Sequence, residues 1–212
     1  MRILFLTQSI FLSSLIVLGL FGCATVPPAP PTLSTESIAP EKESTQAQST
    51  PTTLQHWKLN AQVAVRDTAA NKSETANLVW QQNQLQYTLS LFGPMGTHSV
   101  KLTGKPGSVV LEKSTGEKIQ AHSPEMILKE QTGYQLPVSN LYYWARGLPL
   151  PDQPKKTIFN DKNQLSELIQ SEWRIQYLDY TSVNHMLLPT KIFLYHPPFS
   201  IKIIISQWDI TY

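Results

Sequence analysis

Between about residue 58 and residue 206, apolar side chains recur at every second position in one stretch after another. Leu59, Ala61, Val63 and Val65 share one face, with Lys58, Asn60, Gln62 and Arg66 opposite. Ala76, Leu78 and Trp80 alternate with Asn77 and Gln81, and Leu85, Tyr87, Leu89 and Leu91 with Gln84, Gln86, Thr88 and Ser90. Trp173, Ile175 and Tyr177 repeat the pattern, as do Phe199, Ile201, Ile203 and Ile205. A period of two puts such residues on one side of an extended strand. Each strand then has a dry face and a wet one, which describes an antiparallel sheet solvated on one side. Gly93-Pro94, Gly104-Lys105-Pro106-Gly107, Ser114-Thr115-Gly116 and Pro197-Pro198 interrupt the pattern at short intervals. That is meander spacing, compatible with a sandwich, a barrel or a half-barrel.

Residues 123–149 do not alternate. Ser123-Pro124-Glu125 supplies an N-cap, a proline at the first helical position and an acid in the first turn, and Gly133 can close that helix. A second helix is predicted from Ser139-Asn140 to Arg146-Gly147, with Leu141, Trp144 and Ala145 on one stripe. A shorter helical segment is predicted ahead of Trp57. The domain thus reads as mainly β, about ten or eleven strands with a two-helix insertion at its middle.

The N-terminal part is of a different kind. Met1-Arg2 is followed by an apolar run from Ile3 to Phe21, the pattern of a secretory signal. Polar residues inside the run and the lack of a basic stop-transfer cluster weigh against a membrane-spanning helix. Leu20-Phe21-Gly22-Cys23 resembles the lipobox of bacterial lipoproteins, which makes Cys23 the expected site of lipid attachment and residues 1–22 a signal peptide. Phe21 is bulkier than usual there. Cys23 is the only cysteine, so a disulfide scaffold is excluded. Ala24, where an Asp would retain a lipoprotein in the inner membrane, resembles an outer-membrane sorting signal facing the periplasm. Residues 23–54 are rich in Pro, Ser and Thr and hold almost no large apolar group, so they read as a flexible tether. Its relaxed span is roughly 30 Å. Residues 55–212 make one domain.

Lys and Arg number 17 and Asp and Glu 15, and Arg2 falls within the signal. A near-neutral mature chain with no basic run gives no footprint for nucleic acid or for anionic lipid. The five histidines lie on separate segments without metal-ligand spacing, so no metal site is expected. There is no Gly-x-Ser-x-Gly elbow, no phosphate-cradling glycine loop and no Ser-x-x-Lys. The reading is not an enzyme, with no cofactor.

A sheet with one apolar face must cover it, and the two helices are the available cover. Alternation alone leaves open whether they complete a filled core or enclose an apolar ligand cavity. In Leu91-Phe92-Gly93-Pro94-Met95-Gly96-Thr97, the glycines and proline force a tight reversal with Met95 at its tip. Loop tips are usually polar. A methionine there is either folded back or held out toward an apolar surface.

The lipobox, tether, alternating meander and Gly-Pro-x-Gly turn resemble the outer-membrane lipoprotein receptor LolB family. So do Gly104-Lys105-Pro106-Gly107, Ser123-Pro124-Glu125-Met126-Ile127-Leu128 and Thr132-Gly133-Tyr134-Gln135-Leu136-Pro137-Val138. The most specific match is Leu141-Tyr142-Tyr143-Trp144-Ala145-Arg146-Gly147-Leu148-Pro149. Trp173-Arg174-Ile175-Gln176-Tyr177 and Leu188-Pro189-Thr190-Lys191-Ile192 extend the resemblance to the later strands. The tether is longer than the family pattern, and leucine is more typical than Met95 at the turn tip. The resemblance implies an incomplete, half-open antiparallel β-barrel with helices covering an apolar cavity. The inward positions Leu78, Trp80, Tyr87, Leu89, Leu141, Trp144, Trp173 and Ile203 are the candidate lining for acyl chains. The segment Phe92, Gly93, Pro94, Met95 and Gly96 corresponds to a membrane-insertion loop. The implied role is a monomeric, outer-membrane-anchored receptor. It takes lipoproteins from a periplasmic carrier of the LolA type and inserts them into the inner leaflet of the outer membrane. A structural or small-lipid-binding lipoprotein built on the same sheet is the competing reading.

Overall fold

The computed structural model describes residues 54–93, 99–134 and 136–211. Cys23, tether residues 23–53 and the loop residues Pro94, Met95 and Gly96 lie outside them, whereas Leu54, expected to end the tether, is buried in the domain core. Eleven strands occur in the order β1 His56–Asp67, β2 Lys72–Asn83, β3 Gln86–Phe92, β4 Val100–Lys105, β5 Ser108–Lys113 and β6 Lys118–Ala121, followed by β7 Lys156–Phe159, β8 Leu165–Gln170, β9 Trp173–Val183, β10 Met186–His196 and β11 Phe199–Thr211. Two helices, α1 Pro124–Thr132 and α2 Val138–Trp144, stand between β6 and β7. All strand pairs are antiparallel and form one sheet, ordered β6-β5-β4-β3-β2-β1-β11-β10-β9-β8-β7.

Two meanders therefore meet at the pairing of β1 with β11, and β6 and β7 are left as the two edges. The sheet is a half-open barrel. The chain crosses from one edge to the other through α1 and α2, so the element that connects the edges also covers the dry face.

Burial follows the alternation. In β1, Trp57, Leu59, Ala61 and Val65 are buried, and in β2 Leu78 and Trp80. Leu102, Val109, Leu111, Leu168, Ile175, Leu188, Ile192, Leu194 and Ile201 complete the same face. Leu85 departs from its expected place: it sits in the turn before β3 and is 65% exposed. The strand begins at Gln86, one residue too late to carry Leu85 onto the dry face. A bulge changes the phase in β11, where Asn60 faces Gln207 but Ala61 faces Ile205. The extra residue, Ser206, lets Ile205 and Trp208 both point inward although they are three apart.

The caps of α1 are as expected. Ser123 Oγ accepts from the Met126 N–H at 3.2 Å, and Gly133 ends the helix at φ 78°. The second helix starts one residue earlier than expected, at Val138, with Pro137 at the cap and no side-chain cap bond. The Ser139 N–H is satisfied from outside, by Glu125 Oε1 of α1 at 2.7 Å. The helical segment expected ahead of Trp57 is not found among the described residues: Leu54 and Gln55 are irregular, and β1 begins at His56.

Candidate apolar binding site

Under the helices the dry face does not close completely. A cavity of about 60 Å³ lies between the sheet and the helical cover. The sheet contributes Leu59, Val63, Leu78, Trp80, Leu89, Leu91, Leu102, Ile201 and Ile203, from β1, β2, β3, β4 and β11. The cover contributes Leu128 of α1, Leu136 of the connection, and Val138, Leu141 and Ala145 in and just after α2. Every lining side chain is a hydrocarbon except the Trp80 indole, and Trp80 Nε1 is turned to Gln82 Oε1 at 2.9 Å. The Gln82 amide in turn donates to the Gln84 carbonyl at 2.8 Å, so the polar end of Trp80 is accounted for.

Of the residues singled out in the sequence, Leu78, Trp80, Leu89, Leu141 and Ile203 meet around this cavity. The other three lie elsewhere. Tyr87 lies over Gly104 on β4, where a Cβ would overlap its ring. Its phenol pKa is pushed up to about 12 by burial, with Glu125 adding to the shift. Trp144 and Trp173 pack 6.3 Å apart in a second part of the core, and Trp144 Nε1 donates to Gln170 Oε1 at 3.2 Å. Phe92 ends β3 half-buried and Gly93 follows it.

Sequence reasoning missed the polar groups that fix the cover. Arg146 is 3% exposed, an unusual state for a cation. Its Nε donates to the Tyr142 carbonyl at 2.9 Å and Nη1 to the Leu54 carbonyl at 3.1 Å. The guanidinium also lies 4.2 Å from the centre of the Tyr142 ring. Desolvation lowers its pKa from the ordinary value. Tyr177 Oη donates to the Trp144 carbonyl at 3.0 Å, and burial drives that phenol's pKa well up. The C-terminal end of α2 is thus tied to β8, β9 and the segment entering β1. The corresponding polar ties of α1 are fewer: Glu125 holds Ser139, which is itself on the cover. A cation at a helix end ordinarily reads as a solvated group facing the helix dipole, so nothing in the sequence flagged Arg146. Among the described residues, no group of three or more His, Cys, Asp or Glu side chains is placed to hold a metal ion.

The fold belongs to a class of open antiparallel barrels with a helical cover. It is similar to a LolA superfamily protein from Nitrosomonas europaea, with a TM-score of 0.52 at 8% identity over 75% of this chain and 87% of that one. A DUF1329 family protein from Desulfovibrio piger is similar at a TM-score of 0.51 and 7% identity, over 77% and 88% of the two chains. At sequence level the match is closer. The family model described as outer membrane lipoprotein LolB matches residues 55–208. The outer-membrane lipoprotein LolB of Pseudomonas putida strain F1 is 39% identical over 156 residues, 74% of this chain and 75% of that protein. Its counterpart in Pseudomonas syringae pv. syringae is 36% identical over the same shares. The chain belongs to the LolB family of outer-membrane lipoproteins, a family of lipoprotein-trafficking proteins rather than of enzymes.

Proposed function

We propose that this protein, anchored to the outer membrane through lipid on Cys23, accepts lipoproteins from a LolA-type periplasmic carrier. It holds their acyl chains beneath α1 and α2 and inserts them into the inner leaflet of the outer membrane. The observation that carries this reading is the wholly apolar contact surface between sheet and helical cover.

The energetics favour such a device. Each methylene buried from water is worth about 0.8 kcal/mol, so exposing one long acyl chain would cost more than about 10 kcal/mol. Transfer from one apolar cavity to another, and then to membrane, avoids that state and needs no nucleotide if each acceptor binds more tightly than the last. At about 60 Å³ the cavity is smaller than the roughly 150 Å³ engineered cavity that admits benzene. Cargo therefore enters only when the cover moves. The polar ties on the C-terminal end of α2 make α1 and the α1–α2 connection the moving part. Withdrawing Leu128, Leu136 and Val138 opens the space above Leu78 and Leu89. The apolar tip at Met95 would lower the barrier for delivery by joining the cavity to the bilayer interior.

The test uses the mature chain carrying Cys23→Ala, so that no anchor competes for the site. An environment-sensitive fatty-acid probe should bind it and be displaced by acylated lipoprotein but not by the same protein without acyl chains. Leu89→Arg in a folded variant should lose most of the signal. A folded protein that takes up no probe, or takes it up equally with Leu89→Arg, would contradict the reading.

A further inference from the structure

Charge is nearly balanced along the chain but not around the fold. Arg66, Lys156, Arg174, Lys191 and Lys202 come from β1, β7, β9, β10 and β11. The register gathers all five on the outer, wet face. Arg66 is opposite Ser200, Ser200 opposite Tyr195, Tyr195 opposite Arg174, Arg174 opposite Ile169, and Ile169 opposite Lys156. In the neighbouring rows Phe193 faces Lys202, and Lys191 faces Ile204. The patch crosses six strands, about 25 Å at the usual strand spacing.

Two acids share these rows. Glu167 lies 3.3 Å from Arg174, and Asp179 stands across from Lys191. Three of the five cations are therefore left without an acid in these rows. On the opposite face α1 carries the reverse balance, Glu125 and Glu130 against Lys129.

Apolar side chains are set among the cations. Tyr195 is 44% exposed, Ile158 42% and Ile204 40%, and Phe193 is half-buried beside them. A groove of about 350 Å³ opens on this face next to Lys202 and Ile204, with Gln62 and Asn77 on its far wall. Cations that attract anionic headgroups, interleaved with aromatic and aliphatic groups that enter the headgroup layer, are what a bilayer surface selects.

We propose that the outer face of β1, β11, β10, β9 and β7 rests on anionic phospholipid headgroups of the membrane. The helical cover then points away from the bilayer, toward the periplasm. The inference draws on the outer-membrane setting of the family but not on cargo transfer. Each cation near an anionic surface adds a modest attraction that salt screens within about 10 Å. The tether keeps the domain at high effective concentration near the surface, so a weak site suffices to orient it.

The experiment is flotation of the mature Cys23→Ala chain with vesicles of phosphatidylethanolamine and phosphatidylglycerol at about three to one, against vesicles of phosphatidylcholine alone. Binding should require the anionic lipid and fall as salt is raised. Lys191→Glu with Lys202→Glu should weaken it by about tenfold or more. Lys105→Glu with Lys129→Glu, an equal charge change off the patch, should weaken it by no more than about twofold. Circular dichroism confirms that both variants fold. Equal losses in the two variants, binding indifferent to anionic lipid, or no binding at all would each overturn the proposal. Uptake of lipoprotein from the carrier in solution, measured on the Lys191→Glu, Lys202→Glu variant, should be unchanged. If uptake fails there while it survives in the control variant, the patch docks an acidic protein surface instead and the lipid assignment is wrong.

Discussion

The Trp144 indole and the Gln170 amide form a buried polar joint between α2 and β8, Nε1 donating to Oε1 at 3.2 Å. Trp144 is fully buried and Gln170 is 2% exposed. The same amide accepts from the Leu150 N–H at 2.8 Å and donates to the Leu150 carbonyl at 3.1 Å. One side chain of β8 therefore fixes both the end of α2 and the segment that leaves it. Gln170→Leu keeps the volume but strands the indole N–H and both Leu150 backbone groups. It should destabilise the protein by about 2–4 kcal/mol, read as a lower urea midpoint with unchanged slope. An unchanged midpoint would mean the joint is replaced by solvent and does not hold the cover.

Gly104 predicts a coupling. Its Cβ position is occupied by the Tyr87 ring from the neighbouring strand. Gly104→Ala should therefore destabilise by about 1–3 kcal/mol, since overpacking displaces a fixed ring. In the Tyr87→Ala background the same change should be close to neutral. A double-mutant cycle on urea unfolding measures this, and additive effects would contradict the packing.

Alkaline pH should weaken the fold before neutral or mildly acidic pH does. Burial holds the Tyr177 and Tyr180 phenols above their ordinary pKa, and Tyr87 at about 12. An unfolded chain releases these protons from about pH 10, while the folded chain keeps them. Their contribution is thus complete below pH 10 and falls as pH rises toward 12. Melting temperature should be flat in this respect between pH 7 and 9 and drop above 10. Tyr180→Phe should blunt that drop while also losing the bond from Tyr180 Oη to the Leu165 carbonyl.

Much of the sheet was legible because a half-solvated strand writes its two faces into the sequence at period two. Leu59, Leu78, Leu89, Ile175 and Ile203 were placed inward on that basis, and all but the turn residue Leu85 among the leucines of the first three strands followed it. The helix caps were legible because Ser123 and Gly133 act locally. The pairing of β1 with β11 was not, since it joins residues more than 130 positions apart. The Ser206 bulge hid Trp208 for a related reason: one added residue reverses the parity that the eye follows. Within the candidate site, Leu78, Trp80, Leu89 and Ile203 could be named from alternation, and Leu141 from the helical stripe it shares with Trp144. Leu128, Leu136 and Val138 could not, because which helical residues face the sheet depends on how the cover docks. Arg146 and Gln170 were invisible as buried anchors, since nothing local distinguishes a satisfied buried polar group from a solvated one. The basic outer patch was hidden by near-neutral composition, because only the register brings its cations together.

Met95→Glu separates acceptance from delivery. The sequence Gly93-Pro94-Met95-Gly96 predicts a turn with Met95 at its tip, and a charge there must be desolvated if the loop enters the bilayer. The variant should still take lipoprotein from the carrier but incorporate it poorly into liposomes. Normal incorporation would remove the loop from the delivery step.

Direct transfer of cargo tests the account most closely. A purified carrier–lipoprotein complex is mixed with the mature Cys23→Ala chain, and the two proteins are separated and assayed for cargo. The account predicts that lipoprotein moves to this chain without nucleotide, that the unacylated form does not, and that Leu89→Arg abolishes the movement while remaining folded. Cargo that stays on the carrier at excess of the folded acceptor, or that moves equally well to Leu89→Arg, would contradict the claim that the space beneath α1 and α2 receives acyl chains.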